Sequence, residues 1–141
     1  MKNMTVRSLL ILLAIILSSG AAMSEQTKED IAIQAAEDWL ATVDALGYGK
    51  SWDMAASFFK NALPKEQWTK SMNAFRKPLG TLINRKLKSK KYMTNLPGAP
   101  DGEYVVIQFE TSFENKKKAI ETVTPMLDSD GQWKVSGYYI K

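Results

Sequence analysis

The chain has 141 residues, 45% of them hydrophobic and 24% charged. That is a globular composition, enough for one domain and too little for two ordinary ones. It has no Cys and no His, which excludes disulfides, thiolate zinc sites, lipid-modified cysteines and imidazole as base or metal ligand. Net charge is +4, but Lys2 and Arg7 supply two of the 19 basic residues, and the other 17 face 15 acidic ones. So even a balance gives a nucleic-acid partner little support.

Residues 1–24 read as a secretory signal peptide. Lys2 and Arg7 form the positive start, Leu9 to Leu17 the apolar core, and Ser18 to Ala22 the small residues a signal peptidase needs. The apolar run is short for a membrane span. Cleavage after Ala21, Ala22 or Ser24 satisfies the small-residue rule equally. The rest, residues 25–141, reads as a single domain, exported to the periplasm or the exterior.

The spacing predicts a first helix from Lys28 to Leu46. Thr27 is its N-cap, Glu29 and Asp30 lie in its acidic first turn, and Gly47 is its stop. Ile31, Ala35, Trp39, Val43 and Leu46 share one face. A second helix is expected from Ser51 to Leu63, burying Trp52, Ala55, Ala56, Phe59 and Leu63. Pro64 opens a third, with Trp68, Met72, Phe75 and Leu79 on its face and Pro78 and Gly80 at its end.

From Thr81 the period becomes two. Ile83, Arg85, Leu87 and Ser89 oppose Asn84, Lys86, Lys88 and Lys90. Asn95 to Gly102 is a loop, with two Pro and two Gly. Glu103 to Phe113 forms the next strand, with Val105, Ile107, Phe109 and Phe113 on one face. Lys117 to Leu127 follows, with Ala119, Glu121, Val123 and Leu127 on one face. Pro125 marks this strand as an edge or a bulge. After a tight turn at Asp128–Gly131, the last strand, Gln132 to Lys141, puts Trp133, Val135, Gly137 and Tyr139 on one face. Hairpin-length connections make an antiparallel meander. Helices first and strands after make an α+β fold.

Three N-terminal helices and a bent four-stranded meander resemble the NTF2-like (cystatin-like) roll, in which a sheet curls around the first helix and leaves a conical cavity. The sequence is also similar to a family of small exported bacterial proteins known as domain of unknown function 4019. The matching residues include Trp39-Leu40, Ser51-Trp52, Ala55-Ala56 and Phe59, then Arg76-Pro78-Leu79-Gly80 and Arg85. They continue with Leu96-Pro97-Gly98, Asp101 to Tyr104, Phe113, Lys116, Glu121, Val123-Thr124, and Gly131 through Ile140 by way of Trp133, Val135 and Gly137 to Tyr139. The resemblance implies the fold over nearly all of the mature chain and implies no activity, because this roll carries enzymes, binding modules and assembly domains alike.

Arg85 and Glu121 stand on faces otherwise made of Leu87, Val123 and Leu127. Turned inward, they must pair, either as a structural ion pair or as a cavity acid held by its counter-ion. Trp39, Trp52, Trp68 and Trp133, with Tyr104, Tyr138 and Tyr139, read as core, with a ligand-lining role as the alternative. Lys86, Lys88, Lys90 and Lys91, with Lys116, Lys117 and Lys118, read as a solvated face. The sharper reading is a weak anionic-surface contact through Lys86, Lys88, Lys90 and Lys117. Asp128 to Gly131 lacks calcium-loop spacing, and no cofactor or metal motif occurs.

The leading expectation is an exported, non-catalytic binding or accessory domain that takes a small ligand or a protein partner through the cavity or the sheet face. One alternative is a cavity-carboxylate enzyme performing proton transfer on a small apolar substrate, with Glu121, Arg85 and Tyr139, or Glu37 or Asp38, as its acid–base groups. The other is a subunit that acts only by assembling, for instance as a homodimer.

Overall fold

The computed structural model describes residues 26–141, and the expected signal peptide, residues 1–24, lies outside the described residues. Helix α1 spans Lys28–Asp44. Thr27 caps it reciprocally: its hydroxyl accepts from Asp30 N at 3.1 Å, while the Asp30 carboxylate accepts from Thr27 N at 3.3 Å. The buried stripe is Ala32, Ala36, Trp39, Leu40 and Val43. Trp39 and Val43 are where the spacing put them, but Ile31 and Leu46 are 40% and 56% exposed. The stripe is turned by about one residue. Two alanines form its seam, and small side chains suit close approach of a helix to a sheet. The helix stops at Asp44, short of the expected Leu46. Leu46 itself takes the left-handed conformation, φ 65, a place usually given to glycine. Gly47 serves another need: a Cβ there would meet the Thr42 carbonyl oxygen at 3.0 Å.

The expected second helix is two short ones, α2 (Tyr48–Met54) and α3 (Ser57–Ala62). Between them Ala55 and Ala56 are extended, and Ala56 N donates to Val135 O at 2.8 Å. A backbone donor claimed by a strand cannot continue a helix. Helix α4 (Lys65–Phe75) begins one residue later than expected, with Pro64 as its N-cap rather than its first residue, and a 3-10 turn (Lys77–Leu79) closes the helical layer. Trp68 and Met72 are buried, whereas Phe75 is 76% exposed.

The sheet is an open antiparallel meander, β1 (Leu82–Met93), β2 (Tyr104–Phe113), β3 (Lys116–Leu127) and β4 (Trp133–Ile140), in that spatial order. Four α-helices followed by this sheet make the protein α+β. Val105, Ile107, Phe109, Val123 and Val135 pack on Trp39, Leu40 and Val43 of α1 in one core.

The sheet has four register shifts, between Leu82 and Asn84, Leu87 and Ser89, Thr111 and Phe113, and Thr124 and Pro125, and two of them redirect the expected site residues. In β1, Leu87 faces Phe109 and Ser89 faces Gln108, so Lys88 is the extra residue. In β4, Gly137 pairs Thr124 and Val135 pairs Pro125, so Ser136 is the extra one. Its hydroxyl donates to the Thr124 carbonyl at 2.7 Å. Pro125 therefore lies at a bulge on an inner strand rather than at an edge.

Candidate functional site

Glu121 lies at the middle of β3 with its side chain 0% exposed. Its Oε1 accepts from Arg85 Nε at 2.7 Å and from Thr111 Oγ1 at 2.6 Å. Its Oε2 accepts from Arg85 Nη2 at 3.3 Å and from the Tyr138 hydroxyl. The expected Arg85–Glu121 pair thus exists, within a larger cluster. Arg85 also donates to Asp44, from Nη1 at 2.7 Å and Nη2 at 3.0 Å. Arg76 Nη2 donates to the same carboxylate at 3.2 Å, and Arg76 Nη1 donates to the Gly80 carbonyl at 2.9 Å. The Arg76 guanidinium lies 4.3 Å from the Phe113 ring centroid.

Two cations and two anions thus tie the end of α1 to the end of α4 and to β1 and β3, and Thr111 and Tyr138 join them from β2 and β4. Asp44 is the last residue of α1, the end where the helix dipole disfavours an acid, and α1 has no basic residue in its last turn. The two arginines compensate it from outside the helix. Burial opposes the charge on Arg85, but its hydrogen bonds to Asp44 and Glu121 outweigh that and raise its pKa above the ordinary value. Burial, reinforced by the Glu121 charge, pushes the Tyr138 hydroxyl well above the usual phenol range. It therefore keeps its proton and stays a donor.

Tyr139 does not join this cluster. It is 56% exposed, because the Ser136 bulge reverses the phase and turns Tyr138 inward, opposite Val123. Glu37 and Asp38 are exposed on α1. Asp38 accepts from Gln34 Nε2 at 2.9 Å and faces a cleft of about 330 Å³ beside Trp133. Asp44 and Arg76 were not among the expected site residues. The signal for Asp44 was an acid at the wrong end of a helix. For Arg76, nothing local marks the residue.

The lysines separate as well. The bulge at Lys88 sets Lys90 opposite Ile107, on the core face, where it comes 3.6 Å from Asp30. Lys88 is exposed at the bulge itself. Lys86 and Lys117 line a hollow of about 470 Å³ together with Lys118, Lys141 and Glu110. The expected four-lysine surface is therefore two residues on one face, one at a kink and one turned away.

Space is left beside α4. A groove of about 480 Å³ runs between α4 and β4, with Trp68, Met72, Phe75, Leu79 and Ile140 along it and Tyr138 and Arg76 among its lining residues. Among the described residues no cluster of three or more acidic side chains could hold a metal ion. No helix among them is long and apolar enough to cross a membrane.

No curated protein matches the chain. A family model matches residues 35–138, from the middle of α1 to Tyr138, and so takes in every member of the buried charge cluster. By that match the chain belongs to the family described as Protein of unknown function (DUF4019).

Proposed function

We propose that the protein is an exported, non-catalytic binding domain with an NTF2-like roll, and that it binds through the groove between α4 and β4. The observation that carries this reading is the contrast between that groove and the buried acid behind it. The groove has apolar walls and Phe75 at 76% exposure, and its volume lies in the range of small-molecule sites, about 300–1,000 Å³. Glu121 supports the non-catalytic part. Both of its oxygens already accept hydrogen bonds, and its side chain meets no solvent. A general base must reach the proton it takes, and Tyr138 stands between Glu121 and the groove.

The test is saturable binding of an uncharged naphthylamine dye, followed by its emission. Phe75→Asp is expected to weaken it about tenfold or more, the loss of one apolar side chain's contact, with the melting temperature unchanged. No dye binding, or binding indifferent to Phe75→Asp, would remove this reading. Export has its own test: chains recovered outside the cytoplasm should begin between Ala22 and Glu25. Chains found in membranes and still starting at Met1 would contradict it.

A further inference from the structure

We propose that the groove takes a monomeric single-chain amphiphile with an anionic head, its alkyl chain between α4 and β4 and its head at Lys116; this rests on the binding reading above. The groove is apolar along its length but has a sign. Arg76, Lys116 and Lys141 line it, and no Asp or Glu side chain does. Lys116 makes no salt bridge among the described residues. Lys141 is exposed whereas Lys116 is half-buried beside the groove, so the head is assigned to Lys116. Arg76 adds a second, independent observation. It is 1% exposed, and its Nε is buried without an acceptor, although the remaining guanidinium nitrogens hold Asp44 and the Gly80 carbonyl. Its charge is shared with Asp44, but a buried N–H without an acceptor favours a ligand that brings an oxygen over a purely apolar or cationic one. A neutral apolar ligand would make no use of either feature. The space suits one slender chain lying along a three-turn helix, whereas a folded partner would meet chiefly Phe75 and Tyr139.

The experiment is displacement of the bound naphthylamine dye from the full mature protein, using soluble monomers below their micellar concentration. The probes are octanoate, decanoate and dodecanoate, with decanol and decyltrimethylammonium as matched heads. Each methylene is expected to tighten the carboxylates about fourfold, the ratio that ~0.8 kcal/mol sets. Decanoate should bind more tightly than decanol, and decyltrimethylammonium most weakly. Lys116→Glu should weaken decanoate roughly fivefold to tenfold and leave decanol unchanged. Equal binding of the three heads overturns the anionic assignment and leaves the groove reading standing. Dye binding that no amphiphile displaces overturns the ligand class. A protein that pellets with anionic vesicles but takes up no monomer also overturns the inference, in favour of a membrane surface. If the dye itself does not bind, both readings fall together.

Discussion

The inner and outer faces of this sheet carry the same kinds of residue to opposite effect. On the inner side Arg85, Arg76, Asp44 and Glu121 are sequestered, and each charge has a partner placed by a different element. On the outer side Lys86, Lys117, Lys118 and Glu110 surround a hollow open to water. The inner charges need one another, because an ion left alone away from water is costly. The outer ones are solvated and screened, so their mutual arrangement has little weight. The sequence around Arg85 and Lys86 is uniformly basic, and only the direction of each side chain separates a structural ion from a solvated one.

The sharpest way to break this comparison is Arg85→Met. It leaves Glu121 with no cation and Asp44 with Arg76 alone. We expect a loss of about 3–5 kcal/mol near neutral pH, read by urea denaturation. Part of that loss should return in acid, where a buried carboxylate without a counter-ion can be neutralised by a proton. The double change Arg85→Met with Glu121→Leu should recover much of the stability. A double variant no more stable than the single one would mean that the cluster is not held together by its charges.

A smaller effect comes from neighbouring tyrosines. Tyr138→Phe removes a donor from a buried carboxylate and should cost about 1–3 kcal/mol. Tyr139→Phe, one residue on and facing solvent, should change stability by less than about 0.5 kcal/mol. Equal costs would show that the Ser136 bulge does not set the phase of β4.

Asp128 offers a test at the margin between the two environments. Hydrogen bonds from Ser57, from its backbone and its hydroxyl, and from the Ser129 backbone hold its carboxyl below the usual value of 3.8, against the opposing effect of burial. Because the folded value is the depressed one, the stabilisation is present above the unfolded value and is lost as pH falls through the folded one. Asp128→Asn should cost about 1 kcal/mol at neutral pH, as for the loss of a helix cap, and should flatten stability against pH below about 4. An unchanged acid limb would assign that limb to other carboxylates.

The smallest effect is expected from the outer hollow. Lys86→Glu and Lys117→Glu should each shift stability by no more than about 0.5 kcal/mol. A larger loss would mean that the outer charges form a network of their own.

Much of the fold was legible because it rests on local chemistry. The Thr27 cap, the switch of period near Thr81 and the inward phase of Val105, Ile107 and Phe109 all appear in the structure where the residues put them. Period-two reasoning then failed where the register shifts, and for the candidate residues at two of those shifts. A single extra residue turns every later side chain to the other face, so Lys88 redirected Lys90, and Ser136 exchanged Tyr139 for Tyr138. The split of the second helix was hidden for another reason, since the competitor for its backbone is Val135, far along the chain. The candidate site was legible only as the Arg85–Glu121 pair. Asp44 meets Arg85 across 41 residues of sequence, and Arg76 meets Asp44 across 32, distances over which no local pattern operates.

The cap on α3 has a consequence for the order of events in folding. Asp128 belongs to the β3–β4 turn, yet it holds Ser57 at the first residue of α3, 71 positions earlier. A six-residue helix is too short to nucleate alone, and α3 lacks a capping side chain of its own. We expect it to condense only once the last hairpin has formed, late in folding. Weakening this contact should then quicken unfolding while leaving the refolding rate nearly untouched. The middle of the polypeptide is completed by its end.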